Sequence, residues 1–143
     1  MTMDCCATEA VVDDLCPACH EKGRAVKPVT IRAMAPDAQP SSEGWRFCRS
    51  AHCGVAYYHV RGNTVPVSAL PVRVGLKETA PDRPVCYCFA YSEQDIARDP
   101  NGVSEDIKAR CRRGEDRCAE TNPQGSCCLG NVLAIARALL VST

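Results

Sequence analysis

The stretch TAPDRPVCYCFAYS, residues 79–92, decides how this chain is read. Its first half is a turn: Pro81 and Pro84 bracket Asp82 and Arg83, and each proline fixes its own φ and withdraws an N–H donor from any sheet. Its second half sets Cys86 and Cys88 two residues apart. The texture of the sequence changes across it. Upstream, Val29, Ile31 and Ala33 alternate with polar residues. Val55 to Val60 holds two tyrosines, RGN at 61–63 reads as a turn, Thr64 to Val67 resumes, and Val72 to Leu76 continues the strand-like pattern. Downstream, the signals are helical. Ser92 and Asp95 are spaced as a capping box with a shorter acid than usual. Ser104 opens EDIKARCRR and Gly114 closes it, while Leu129, Val132, Leu133, Ala136 and Leu139 recur at helical spacing. The expectation is an α+β protein: a leader over 1–10, a small β subdomain over 11–79 and a helical subdomain over 80–143. A second proline-rich stretch, APDAQPSSEGW at 35–45, interrupts the β half.

Composition says what must hold these halves together. Of 143 residues, 12 are cysteine, and only 27 are Leu, Ile, Val or Phe. An apolar core that small struggles to offset chain entropy, so disulfides or metals must contribute. The net charge is zero, which excludes a strongly basic nucleic-acid binder. MTMDCCATEAVVDD at 1–14 carries four acids and no lysine or arginine, unlike a secretory signal. The longest apolar segment, Leu129 to Val141, contains Asn131 and Arg137 and is too short and too polar to span a bilayer. A cytoplasmic protein is expected. In that reducing compartment, so many cysteines point to metal ligation. A secreted disulfide scaffold with its signal trimmed is the competing reading.

LCPACHEKG at 15–23 supplies a CxxC pair, Cys16 and Cys19, and FCRSAHC at 47–53 supplies Cys48 and Cys53. Each pair turns two thiols to one side of a tight loop, and two such loops give the four sulfurs of a closed tetrahedral zinc site. His20 and His52 are neighbours able to replace one cysteine. A redox dithiol is disfavoured because no βαβ pattern surrounds the CxxC.

PVCYCFAYS at 84–92 and RCAETNPQGSCCLGNVLAIA at 117–136 form the second constellation. Residues i and i+2 of an extended segment share a face, so Cys86 and Cys88 point into one site. Cys118 follows thirty residues after Cys88, and Cys127 and Cys128 open the last helix, where free N–H groups favour thiolates. The spacing fits neither common ferredoxin run, and by spacing alone a second zinc stays open.

Taken together, CPAC (16–19), FCRSAHC (47–53), VRVGLKE (72–78), PVCYC (84–88) and C-x-x-TNP-x-G-x-CC (118–128) resemble the N-terminal domain of CopZ-type copper chaperones. The likeness runs over roughly 15–140. The CxC with a late cysteine pair and a helix is similar, more distantly, to bacterioferritin-associated ferredoxins. The resemblance implies a zinc on Cys16, Cys19, Cys48 and Cys53. It also implies a 2Fe–2S cluster on Cys86, Cys88, Cys118 and one of Cys127 or Cys128. Cys128, immediately before LGNVLAIA, is chosen. The MxCxxC copper-binding domain of CopZ-type chaperones has no counterpart in these residues, so copper binding does not carry over directly. Cys5 and Cys6 offer a soft-thiol handle for Cu(I), against idle thiols in an unstructured tail.

Three further features complete the reading. Cys111 is an odd thiol expected to pack as a small core residue. Lys108, Arg110, Arg112, Arg113 and Arg117 interleave with five acids as a salt-bridged face. Trp45, Tyr57 and Tyr58 are expected to pack in the zinc half, and Tyr87 to cover the cluster. No hydrolytic triad, carboxylate pair or phosphate loop stands out. The resemblance therefore implies a one-electron carrier tied to copper handling, at most a Cu(II) reductase. A copper-transporting ATPase or copper-carrying protein and a redox partner are the implied partners. The alternatives are a ferredoxin-like donor unrelated to copper, and a zinc-only scaffold or interaction module.

Overall fold

The computed structural model describes residues 14–38 and 43–142; Cys5 and Cys6 lie outside them. A four-stranded antiparallel sheet comes first, in sequential order. Its strands are β1 (Arg24–Ala25), β2 (Trp45–Phe47), β3 (Val55–His59) and β4 (Thr64–Pro66). Between β1 and β2 runs helix α1, Pro28–Met34. The β3–β4 hairpin falls where RGN predicts it, with Tyr57 opposite Val65 and Tyr58 opposite Thr64. In β3 neighbouring tyrosines serve opposite faces, as a period of two demands. Tyr57 joins Ile31, Met34, Trp45, Phe47, Ala56, Val65 and Val74 in the first core. Tyr58 packs instead against Cys16 and Cys48. Trp45 meets His59 edge-on at 5.0 Å between centroids.

Two expected strands are not strands. The Val29/Ile31/Ala33 alternation lies in α1, where Thr30, Ile31 and Met34 are buried and Ala33 is exposed. Pro28 presets the first helical φ, and burial at Ile31 and Met34 follows the helical period. Val72–Leu76 is likewise not a strand and ends in a 3₁₀ turn, Gly75–Lys77. Gly75 sits so close to the next segment that a Cβ there would lie 1.8 Å from the Pro84 carbonyl oxygen. Only glycine permits that approach.

The second half begins with the short pair β5 (Pro84–Cys86) and β6 (Tyr91–Ser92). It continues as α2 (Glu93–Arg98), α3 (Pro100–Arg112), α4 (Cys118–Thr121) and α5 (Leu129–Ser142). Its core comprises Val85, Cys86, Ile96, Val103, Ile107, Cys128 and Val132. Helix α3 starts five residues earlier than EDIKARCRR predicts, because Asp99 caps it by accepting from Gly102 N–H at 3.0 Å and Pro100 takes the first position. Gly114, at φ 74°, follows its end. The basic face is salt-bridged as expected: Lys108 to Glu105, Arg110 to Asp106, Arg113 to Glu115 and Arg117 to Glu120. The halves interlock through Thr30, whose hydroxyl donates to Ala119 O at 2.6 Å, and through Tyr57, whose hydroxyl donates to Pro123 O. The sequence expectation of an α+β architecture holds.

The capping box at α2 is complete. Asp95 N–H donates to Ser92 Oγ at 3.2 Å, and Ser92 N–H returns the bond to Asp95 Oδ2 at 2.9 Å. Ser92→Ala is expected to cost about 1 kcal/mol, seen as a lower midpoint in denaturant unfolding of the metal-loaded protein; an unchanged midpoint would show that the cap is idle.

Candidate metal centres

The first centre is assembled by two loops on one sheet. An antiparallel bridge between Leu15 and Lys22 pinches off the CPAC loop. Cys16 N–H donates to Glu21 O at 2.9 Å, and His20, at φ 64°, donates its N–H to Cys16 O at 2.8 Å. Cys48 directly follows β2, with its N–H on Ala56 O at 2.8 Å, and Cys53 closes the same loop on Ser50 O. Tyr58 braces both loops from beneath: its hydroxyl donates to Asp14 O and accepts from Gly23 N–H.

The four sulfurs converge. Cys16 and Cys53 are 3.9 Å apart, Cys19 and Cys48 are 3.6 Å apart, and all four lie within 4.8 Å of one another. These separations are far longer than a disulfide bond. They match the spacing of about 3.8 Å that a tetrahedron with ~2.3 Å zinc–sulfur bonds requires. Both Cys16 and Cys48 are fully buried. Burial raises the Cys16 thiol and lifts Cys48 to about 12, with Lys77 opposing the rise at Cys48. Without a cation these buried thiols keep their protons, so a divalent metal is the partner that the donor set fits. His20 and His52 stand outside the group.

The second set is arranged differently. Cys88 Sγ lies 3.5 Å from Cys118 Sγ, and Cys86 and Cys128 are buried in one cluster. Among the described residues, no three of these sulfurs form a compact group like that of the first centre. A single tetrahedral ion would need such a group. Four cysteines are the donor set that an iron–sulfur cluster takes. Backbone donors surround the sulfurs. Arg117 N–H reaches Cys88 Sγ at 3.0 Å, Cys128 N–H serves Cys118, and the N–H groups of Phe89, Cys88 and Tyr91 serve Cys86. The hydrogen bond from Cys128, against the effect of burial and with help from those donors, lowers Cys86 to about 7. Its partner Cys128 is pushed up by the same bond and by burial, and Cys118 is pushed up by burial and then by Cys88.

Cys128 is buried among apolar side chains and Cys127 is exposed. Cys111 is half-buried against the same core, as expected of an odd thiol. The Tyr87 hydroxyl donates to Arg73 O at 2.6 Å and accepts from Gly75 N–H at 2.9 Å, tying the Cys86–Cys88 segment to the turn before it. Two contributors escaped the sequence reading. Lys77 donates to Cys48 Sγ at 3.5 Å. Asn122, buried, shapes the cysteine-bearing loop by donating to Ser126 O and accepting from Gln124 N–H, each at 3.0 Å. TNPQG carried a turn signal for Asn122. Nothing local marked Lys77.

Comparison with known proteins follows this geometry. A family described as a zinc binding domain matches residues 13–70, the span that holds all four cysteines of the first centre. A curated relative, the copper chaperone CopZ of Archaeoglobus fulgidus, is 30% identical over 117 residues. That match takes in 79% of this chain and 57% of the relative, so the chain spans little more than half of it. The crystal structure of the Archaeoglobus fulgidus CopZ N-terminal domain superposes with a TM-score of 0.65 at 26% identity, covering 85% of this chain and 96% of that one. Among the described residues no helix is long and apolar enough to cross a membrane.

Proposed function

We propose that this chain, which resembles the N-terminal domain of CopZ-type copper chaperones over most of its length, is a cytoplasmic one-electron carrier serving copper handling. In this reading residues 11–79 hold a structural zinc on Cys16, Cys19, Cys48 and Cys53. Residues 80–143 hold a 2Fe–2S cluster on Cys86, Cys88, Cys118 and Cys128. The observation that carries it is the gathering of the second set: Cys88 Sγ lies 3.5 Å from Cys118 Sγ, and Cys86 and Cys128 are buried in one cluster against which Cys88 packs.

When bound, the cluster supplies a one-electron couple, matching the single electron that separates Cu(II) from Cu(I). The protein's own groups do the rest. The N–H donors at Arg117, Phe89, Tyr91 and Cys128 stabilise negative charge on the sulfurs, which raises a cluster's potential. Val85, Ile96, Val103 and Val132 keep the inner side dry. Cys88 is only half-buried and Cys127 exposed, so a partner or a copper ion approaches from that side. Cu(I) suits soft thiolates once formed. A copper-carrying protein or copper-transporting ATPase would then take it, with Cys5 and Cys6 as further thiol ligands within this chain.

The test is to reduce the anaerobically purified protein, record its paramagnetic resonance spectrum, and add Cu(II). The expected result is about one Cu(I) formed per reduced cluster, with loss of the reduced-state signal. A reduced cluster that stays reduced in the presence of Cu(II) would leave a ferredoxin-like donor without a copper role. A colourless preparation with zinc alone would leave a scaffold.

A further inference from the structure

We propose that Lys77 is a positioning residue of the four-cysteine centre: its ammonium closes the Cys48–Cys53 loop and offsets the charge that builds up when the thiols ligate a metal. The inference rests on the reading of that centre as a zinc site. Lys77 Nζ lies 2.6 Å from Ser50 O, 3.1 Å from Cys53 O and 3.5 Å from Cys48 Sγ. An ammonium has three donors, and here each has a separate acceptor on one six-residue loop. These acceptors are 24–29 residues away in sequence, so the contact exists only through the fold.

The turn that carries Lys77 is seated firmly. Gly75 lies against the Pro84 carbonyl, Lys77 N–H donates to Val74 O at 2.9 Å, and Arg83 donates to Gly75 O at 2.8 Å. Glu78, the carboxylate next in sequence, is held by both of its oxygens on Arg73, which keeps it from competing for the ammonium. The aromatic ring of Phe47 lies 6.0 Å from the same Nζ.

Four thiolates around a divalent ion leave two negative charges in a site whose two inner cysteines are fully buried. A cation in contact with Cys48 removes one of them. It therefore favours the metal-bound thiolate over the protonated thiol.

The experiment compares the full-length zinc-loaded protein with Lys77→Met, Lys77→Gln and Lys77→Arg. Two quantities are read: the rate of zinc transfer to a chelator, and the pH at which zinc is lost on acidification. Loss of an outer-shell partner typically weakens metal affinity 10–100-fold, so Lys77→Met is expected to release zinc on the order of tenfold faster. A tenfold loss spread over the two to four protons that replace the metal raises the acid midpoint by about a quarter to half a unit. Lys77→Gln should follow Met, and Lys77→Arg should keep the wild-type midpoint, because the midpoint tracks charge. Emission of Trp45 reports whether each variant is folded, and Gln serves if Met is not. Wild-type release and midpoint in both neutral variants would overturn the inference, as would a raised midpoint in Arg equal to that in Met. Wild-type protein without zinc would instead overturn the reading on which it rests.

Discussion

Cys128→Ser is expected to strip iron and sulfide from the protein, while Cys127→Ser leaves both in place. The two residues are adjacent, yet their environments differ completely. Cys128 is 1% exposed and packs in one core with Cys86. Cys127 is exposed, and its sulfur has a distant N–H contact from Leu129 at 3.5 Å. Serine in place of Cys128 removes one of the four proposed ligands and sets a hydroxyl among Val85, Ile96 and Val132. Since outer-shell changes alone cost on the order of 10–100-fold in metal affinity, a ligand loss should cost more. Iron and sulfide analysis of anaerobic preparations, with the visible spectrum, checks this. Retention of the cluster in Cys128→Ser and its loss in Cys127→Ser would exchange the two assignments.

Removing zinc is expected to unfold the sheet half of the protein. The first core rests on one helix of seven residues and four short strands. The loops bearing Cys16, Cys19, Cys48 and Cys53 close one face of that sheet around Tyr58. Structural zinc contributes roughly 10–16 kcal/mol in small zinc-binding peptides, more than the whole net stability of many domains. Trp45 is the chain's only tryptophan and is 2% exposed in this core. Chelation of zinc, or Cys48→Ser, should therefore shift its emission to the red and remove the cooperative melting transition. Acidification should do the same, because protons and metal compete for the same sulfurs and the thiols win as pH falls. A zinc-free protein with the native emission spectrum and melting curve would show that the sheet stands without the metal.

The metal-bearing loops were legible because their signals are local. CPAC and FCRSAHC each place two thiols within one turn of chain. In PVCYC the extended reading fails, because the strand ends at Cys86 and Cys88 lies in the turn that follows. The hairpin at RGN and the Ser92 capping box were legible from equally local signals. Helix α1 was not. Val29, Ile31 and Ala33 satisfy a period of two on paper, but Pro28 starts a helix and Thr30 docks on Ala119 across the molecule. Val72–Leu76 misled in the same way, since the close approach of Gly75 to Pro84 outweighs strand propensity.

The sequence by itself determined the clustering of the cysteines, the α+β class and the four-thiol donor set of the first centre, since each follows from composition or from neighbours a few residues apart. The tertiary structure alone decided which loops meet, that Cys88 comes to Cys118, that Cys128 turns inward and Cys127 outward, and that Lys77 reaches Cys48. Those outcomes depend on packing between segments some thirty residues apart, where burial and backbone donors choose among thiols that are chemically alike.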